Sequence, residues 1–348
     1  MVETPLHDAL VAAGARLGEF CGASTAASFG DAAKEYAALH SGAAVCDLGY
    51  RAKLFVSGND RVRWLNGMVT NNIRDLAPGH GNYNFLLNAQ GHVLADMYIY
   101  NAGDFFIVDT GFEQEERVLQ LFEKYIIMDE VVVHDAKGEL SAIGVAGPQA
   151  AEVLKKLGLI VPPETLAICD QQWQGEDVST IRMDARTGVF EIWLSPAQAP
   201  ASWKSALAAG AVPAGYEAQE LARVAAGIPR FGVDIREKDL PQETAQDRAL
   251  NFNKGCYLGQ EIVERIHARG AVHRSLTGFE IEQGTVAPGA KVTAAGKEVG
   301  QLTSVAQLPN GSRRTLALGY LRREAAKPGT EVEIEGAKAK VSTLPFKD

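Results

Sequence analysis

The sequence predicts an α+β fold followed by a small all-β domain, on three observations. Hairpin signals alternate with amphipathic helices up to about residue 272. After about residue 273 the chain becomes a series of short apolar runs separated by Gly and Pro. Its 348 residues also exceed the ~250–300 at which one hydrophobic core stops growing, so two or three domains are expected.

The elements follow in order. Residues 5–18 are expected to form a short helix ending near Gly18, and residues 31–42 a second, capped by Asp31 and closed by Gly42. Ala43 to Leu48 and Arg51 to Ser57 have strand composition, and Ser57-Gly-Asn-Asp60 turns into a helix through Met68. Asn82 to Tyr100 is strand, turn, strand, with Asn88-Ala-Gln-Gly91 as the hairpin turn. A strand at Phe105 to Asp109, a helix at Glu113 to Tyr125 and a strand at Ala142 to Ala146 come next, and Pro148 starts a helix to Leu157. Ser179 to Asp184 and Val189 to Leu194 are further strands, and Pro196 to Ala209 and Ala218 to Ala226 further helices. Hairpins mixed with crossover helices exclude a doubly wound parallel sheet. The runs LTGFEIE, GAKVTA, KEVGQLTSVA, TLALGYL, GTEVEIEG and AKAKVSTLPF predict a small barrel or sandwich.

Bulk composition narrows the function. A net charge of -9 argues against extended nucleic-acid binding, which needs Lys and Arg on phosphates. No run approaches the ~20 apolar residues of a membrane helix, and the N-terminus lacks a secretory pattern, so a cytoplasmic protein is expected. Cys21, Cys46, Cys169 and Cys256 are scattered, without a zinc or disulfide framework. His267 and His273 lie among Arg265, Arg269 and Arg274 without metal-site spacing, so no metal is expected and a basic rim is. Arg313-Arg314 and Arg322-Arg323 are expected to be solvated charges. The glycines between Gly289 and Gly300 follow no phosphate-loop pattern.

The most distinctive segment is Asn253-Lys-Gly-Cys-Tyr-Leu-Gly-Gln-Glu261. It is a glycine turn leading into a helix that starts near Gln260. A thiol at Cys256, beside Lys254 and ahead of a helix N-terminus, would have a lowered pKa and be reactive. The plain alternative is a packing cysteine in a loop-to-helix join.

KGCYLGQE resembles the signature of the YgfZ-type branch of the folate-binding T-protein superfamily, with Lys254, Gly255, Cys256, Tyr257, Gly259, Gln260 and Glu261 at its fixed positions. The likeness spans the chain. TPLHDALVAAGARLGEFCG resembles the T-protein opening, and MVTNNIRDLAPGHGNYNFLLNAQGHVLADMYIY a stretch that ends in an aspartate-bearing strand. RTGVFEI resembles a shortened T-G-E-x-G-F-E-I, and LARVAAGIPRFGVDI an L-R-I-E-A-G segment. The resemblance implies a three-domain ring. Its α+β, ferredoxin-like units would be a discontinuous one (1–50 with 140–272) and a second (51–139), followed by a β-barrel (273–348).

The resemblance also implies a tetrahydrofolate site. It maps Asp96, Glu191 and Arg223 onto a folate cleft, with Lys254 and Tyr257 as further cofactor contacts and Cys256 and Asp96 as catalytic groups. The chemistry suits these residues. A carboxylate such as Glu191 can accept the ring N–H and exocyclic amine of a pterin as a pair. Arg223 suits a carbonyl or carboxylate, and Asp96 can steer protons. The chain departs from the transferase pattern at Leu10, at Ala23 and at Gly49-Tyr50, where the pattern has two histidines, a tryptophan and a methionine. The leading expectation is therefore a YgfZ-type protein using tetrahydrofolate in iron–sulfur cluster assembly or repair, with an iron–sulfur client protein and a link to tRNA modification. The alternatives are an aminomethyltransferase taking a one-carbon unit from a lipoylated carrier protein, and a non-catalytic folate-dependent scaffold.

Overall fold

A computed structural model describes residues 2–184, 186–270, 272–282, 284–309 and 315–346. Arg313 and Arg314 lie outside the described residues. The chain divides into two compact units, Met1–Asn84 with Asp96–Gln219 and Phe85–Ala95 with Glu220–Asp348.

The first unit opens with β1 (Val2–Glu3), α1 (His7–Ala12), β2 (Arg16–Phe20) and β3 (Ala23–Ser28), strands that form a sheet in the order β1-β3-β2. The single helix expected over residues 5–18 is corrected here. Leu6 and Leu10 are its buried residues, the chain turns at Gly14, and Arg16–Phe20 pairs antiparallel with β3. Local helix propensity thus gives way to strand pairing, a tertiary override.

Helix α2 (Ala32–Ser41) begins as expected, with the Asp31 carboxylate accepting the Lys34 N–H at 3.0 Å. The chain continues through β4 (Ala44–Asp47), β5 (Arg51–Ser57), α3 (Arg61–Met68), β6 (Gly81–Leu87), β7 (Val93–Asn101), β8 (Phe106–Gly111), α4 (Glu115–Tyr125) and β9 (Val132–Asp135). It then forms β10 (Ser141–Ala146), α5 (Ala150–Lys156), β11 (Ile168–Trp173), β12 (Glu176–Asp184), β13 (Val189–Leu194), α6 (Ala199–Ala208), β14 (Val212–Pro213) and α7 (Tyr216–Ala225). Two larger sheets result, ordered β6-β7-β8-β5-β9 and β11-β12-β13-β10-β4-β14.

Tyr100 and Ile107 of the five-stranded sheet pack against Ala142, Ile181 and Trp193 of the six-stranded sheet. Tyr100 and Trp193 meet edge to face, with centroids 5.0 Å apart. Strand side chains alternate, so Asp96, Tyr98 and Tyr100 share one face of β7, and Glu191 and Trp193 share one face of β13. The opposite face of the six-stranded sheet packs on α5 and α6 through Val145, Leu154, Phe190, Ile192 and Trp203.

The second unit contains the hairpin tip, the chain after Gln219, α8 (Gln260–Arg269) and six strands: β15 (Arg274–Ile281), β16 (Lys291–Ala294), β17 (Lys297–Gln307), β18 (Thr315–Arg322), β19 (Glu331–Ile334) and β20 (Ala337–Ser342). These close into a barrel in the order β15-β18-β17-β16-β19-β20, filled by residues that include Phe279, Val292, Leu302, Leu321 and Ile334. The barrel expected after residue 273 is present. No described helix is long and apolar enough to cross a membrane.

Two segments singled out in the sequence meet inside this unit. At the hairpin turn the Asn88 N–H donates to the His92 carbonyl at 3.0 Å, and the Gly91 N–H to the Asn88 carbonyl at 2.9 Å. Gly259, which caps α8, adopts φ 81°, and a Cβ there would lie 2.5 Å from the Asn88 carbonyl oxygen. A Cβ on Gly91 would lie 2.9 Å from that of Ile262. The glycines of LNAQG and KGCYLGQE therefore allow the hairpin tip and the start of α8 to touch.

Candidate functional site

The layer between the two sheets of the first unit carries a cluster of charged side chains. β5 alternates apolar Ala52, Leu54 and Val56 with Arg51 and Lys53 on its other face. Lys53 Nζ lies 2.7 Å from Asp109 Oδ1, and both side chains are fully buried. Arg51 donates through Nε to both Asp109 oxygens at 3.0 Å and through Nη2 to Oδ2 at 2.8 Å. Burial opposes ionisation of Asp109, but the charges and hydrogen bonds of Arg51 and Lys53 outweigh it and hold the carboxyl below its usual range.

Glu191 belongs to the same cluster. It is 4% exposed, and its Oε2 accepts the Trp193 indole N–H at 2.6 Å. Burial, reinforced by the charge of Asp109, raises its pKa, while Lys53, Arg51 and the indole act the other way. The Lys53 ammonium lies 4.9 Å from the Trp193 ring centre, and the Arg51 guanidinium 5.9 Å from that of Tyr98.

Asp96 is held from two sides. The Tyr83 hydroxyl donates to Oδ2 at 2.6 Å and the Gln114 amide to Oδ1 at 3.0 Å. The Asp96 N–H donates back to Gln114 Oε1 at 2.9 Å. Tyr83 and Tyr98 pack with centroids 5.0 Å apart, so a pair of aromatic rings lies beside the carboxylate. Of the residues expected from sequence, Asp96 and Glu191 thus face one inter-sheet layer of the first unit. Sequence reasoning missed Arg51, Lys53, Asp109, Tyr83, Gln114 and Trp193. The available signal was Arg51 and Lys53 on one face of an otherwise apolar strand.

Arg223, in the second unit, has all five N–H donors engaged. Nε and Nη2 form a fork on Glu220 at 2.7 Å each, and Nη1 reaches Asp234 at 2.7 Å and the Ile228 carbonyl at 3.0 Å. Nη2 also donates to Ser304 Oγ at 2.9 Å. Arg223 thereby ties α7 to β17, and a ligand would have to displace one of these bonds.

Cys256 is exposed on the irregular stretch before α8, and none of the four cysteines forms a disulfide. Cys46 is buried, which raises its thiol pKa well above the free value. Lys254 is 8% exposed, with Nζ 5.1 Å from the Tyr257 ring centre. Burial pushes its pKa down to about 7, so it is a weaker cation beside Cys256 than the sequence suggested. Tyr257 is buried, and its hydroxyl has no partner among the described residues. No group of three His, Cys, Asp or Glu suited to a metal occurs among the described residues.

The structure accounts for one departure from the transferase pattern. A Cβ at Gly49 would lie 2.8 Å from Thr4 Cβ and 2.9 Å from Pro5 Cδ, so a histidine there would displace the N-terminal segment.

The chain matches the GCVT N-terminal domain over residues 6–254 and the glycine cleavage T-protein C-terminal barrel domain over residues 274–348. It is 28% identical to an aminomethyltransferase of Picosynechococcus sp., covering 99% of this chain and 97% of that protein. The aminomethyltransferase of Rubrobacter xylanophilus is also 28% identical, at 99% and 93% coverage. A putative chloroplastic transferase of Arabidopsis thaliana is 27% identical over 89% of this chain and 72% of its own length. The crystal structure of the glycine cleavage system aminomethyltransferase T from Bartonella henselae superposes with a TM-score of 0.91 at 23% identity, covering 99% and 98% of the two chains. The fold is therefore the T-protein fold. These findings overturn the iron–sulfur reading. The relatives are named as aminomethyltransferases, which favours the alternative drawn from sequence over an assembly role.

Proposed function

The chain belongs to the glycine cleavage T-protein family, and from that premise we propose that it is an aminomethyltransferase-type enzyme that moves a one-carbon unit to tetrahydrofolate. The observation that carries the reading is Asp96, a carboxylate fixed by Tyr83 and Gln114 beside two tyrosine rings. A group held by two donors and facing an aromatic surface is preorganised to meet a flat heterocycle and handle its proton.

The donor set fits a reduced pterin. Glu191, buried and raised in pKa, presents a carboxyl for a ring N–H and amine, with Trp193 fixing its orientation. Tyr83 and Tyr98 give an aromatic wall, and Lys53 and Arg51 balance the charge of the layer. Bound tetrahydrofolate would supply the nucleophilic nitrogen, and as its bond to carbon forms the donor's carbon–sulfur bond would break, the sulfur leaving as a thiol that takes up the proton lost by nitrogen. Asp96 would hold the proton that nitrogen gives up, and Tyr83 and Gln114 would stabilise the carboxylate before transfer. Arg223 serves as a brace for the second unit in this reading. The one-carbon donor that matches this chemistry is a lipoylated carrier protein.

The test is a transfer assay with lipoylated carrier and tetrahydrofolate. Asp96→Asn keeps the shape of the side chain and removes its basicity. It should lower kcat by about 10²-fold or more, the usual worth of a positioned acid–base group, with little change in melting temperature. A variant that turns over like the parent overturns the role of Asp96. A parent chain without turnover overturns the transferase reading.

A further inference from the structure

We propose that a cavity beside the first turn of α4, in the first unit, is a binding subsite for a small zwitterionic amino acid, its ammonium on Glu115 and its carboxylate at Lys137. The cavity has a volume of about 100 Å³ and is lined by Glu3, Arg51, Glu115 and Lys137 among apolar walls that include Phe112 and Leu140. Neither Asp96 nor Glu191 lines it, and Arg51, paired with Asp109, borders both the cavity and the inter-sheet layer.

Glu115 gives the first reason. It is 9% exposed, and its Oε1 is buried without a hydrogen-bond partner among the described residues. A buried carboxylate oxygen left unpaired is costly, and native structures seldom keep one without an occupant such as a ligand, ion or water. The negative charge of nearby Asp135 adds to the potential at this carboxyl, which favours a cation there.

Lys137 gives the second. Its ammonium lies 4.4 Å from the Phe112 ring centre and forms no salt bridge among the described residues. Arg51, the other cation on the wall, is committed to Asp109. An ammonium ligand alone would meet Lys137 unfavourably, and an anion alone would meet Glu115. A molecule carrying both charges a few bonds apart satisfies both, and the volume suits one of about five or six heavy atoms.

The charged groups facing Glu115 also set a pH dependence. Burial, then Asp135, push its pKa up to about 7, against the opposing charge of Lys137. Glu3 and Arg51 complete the charged lining. As pH falls through 7 the acceptor becomes protonated, so affinity should be present above that pH and fade below it.

The experiment is calorimetric titration of the full chain with glycine, the smallest such zwitterion, at pH 8 and pH 6. Saturable binding is expected at pH 8, with affinity about tenfold lower at pH 6 and about tenfold lower in Glu115→Gln and in Lys137→Met. Methylamine and acetate, each bearing one of the two charges, should bind at least ~10-fold more weakly than glycine. Tetrahydrofolate affinity, followed in parallel, should not change in either variant. Lys137 is exposed, so its replacement leaves the fold intact even where that of Glu115 does not. Absence of saturable glycine binding at pH 8, unchanged affinity in Lys137→Met, or methylamine binding as well as glycine would each overturn the proposal.

Discussion

Cys256 and Cys46 are the two extremes among the thiols. Cys256 stands exposed before α8, and Cys46 is buried in β4, where the loss of hydration and the nearby charges of Asp47 and Glu35 disfavour its thiolate. Alkylation read peptide by peptide at pH 8 should label Cys256 first and Cys46 last. Faster labelling of Cys46 than of Cys256 would show that β4 opens more readily than its packing implies. At this scale the sequence revealed Asp96, Glu191 and the exposed thiol, because short motifs carry them. It did not reveal Tyr83, Gln114 or Lys53: Tyr83 reaches Asp96 across the hairpin, Gln114 from the turn after β8, and Lys53 meets Asp109 only through the pairing of β5 with β8. Nor did it reveal that Arg223 spends every donor inside its own unit, since that depends on Glu220, Asp234 and Ser304 arriving from three different segments.

Helix α8 shows how an element is fixed at both ends by glycine for different reasons. Gly259 at its start and Gly270 at its end both have positive φ, 81° and 67°. Nothing lies within 4 Å of a Cβ built on Gly270, whereas one on Gly259 meets the Asn88 carbonyl oxygen at 2.5 Å. Gly270→Ala should therefore cost only the backbone penalty, about 1 kcal/mol. Gly259→Ala should cost roughly 2–4 kcal/mol, since the hairpin tip must also move. Denaturant midpoints of the two variants check the difference, and equal losses would mean that the contact yields freely. Most elements were legible in the sequence. The hairpin, the capped α2 and the barrel strands carry their own turn and period signals. The polar strand β11, Ile-Cys-Asp-Gln-Gln-Trp, was not legible, because its partner β12 supplies its order. The strand β2 was hidden by the helix-forming composition before it.

For the molecule as a whole, stability in acid depends on carboxylates paired with arginine. Burial opposes ionisation of Glu220, but hydrogen bonds and charge from Arg223 and Arg230 outweigh it and lower its pKa. The lowered folded-state value means that Glu220 contributes fully above the unfolded pKa of ~4.3 and that this contribution is lost as pH falls through the folded pKa. Asp109 follows the same sign in the first unit. The contributions of these two carboxylates should accordingly persist from neutral pH down to about pH 5 and fade below it. Glu220→Gln should flatten the acid limb of the second unit, as read by hydrogen exchange at pH 4 and pH 6. An unchanged slope would show that the Arg223 network does not sense its own carboxylate.

The hairpin tip at Phe85–Ala95 counts with the second unit although it is made early in the chain. During synthesis it leaves the ribosome long before Gln260, the first residue of the helix it meets. At ~5–20 residues per second the delay is roughly 10–30 s. Through that interval the tip lacks the start of α8, where Gly259 and Ile262 lie against Asn88 and Gly91 in the finished unit. The β6–β7 hairpin must keep its register on its own turn until the rest of the chain arrives. The Asn88–Gly91 turn thus acts as a timer's catch as well as a bend, holding a place open for a segment not yet made.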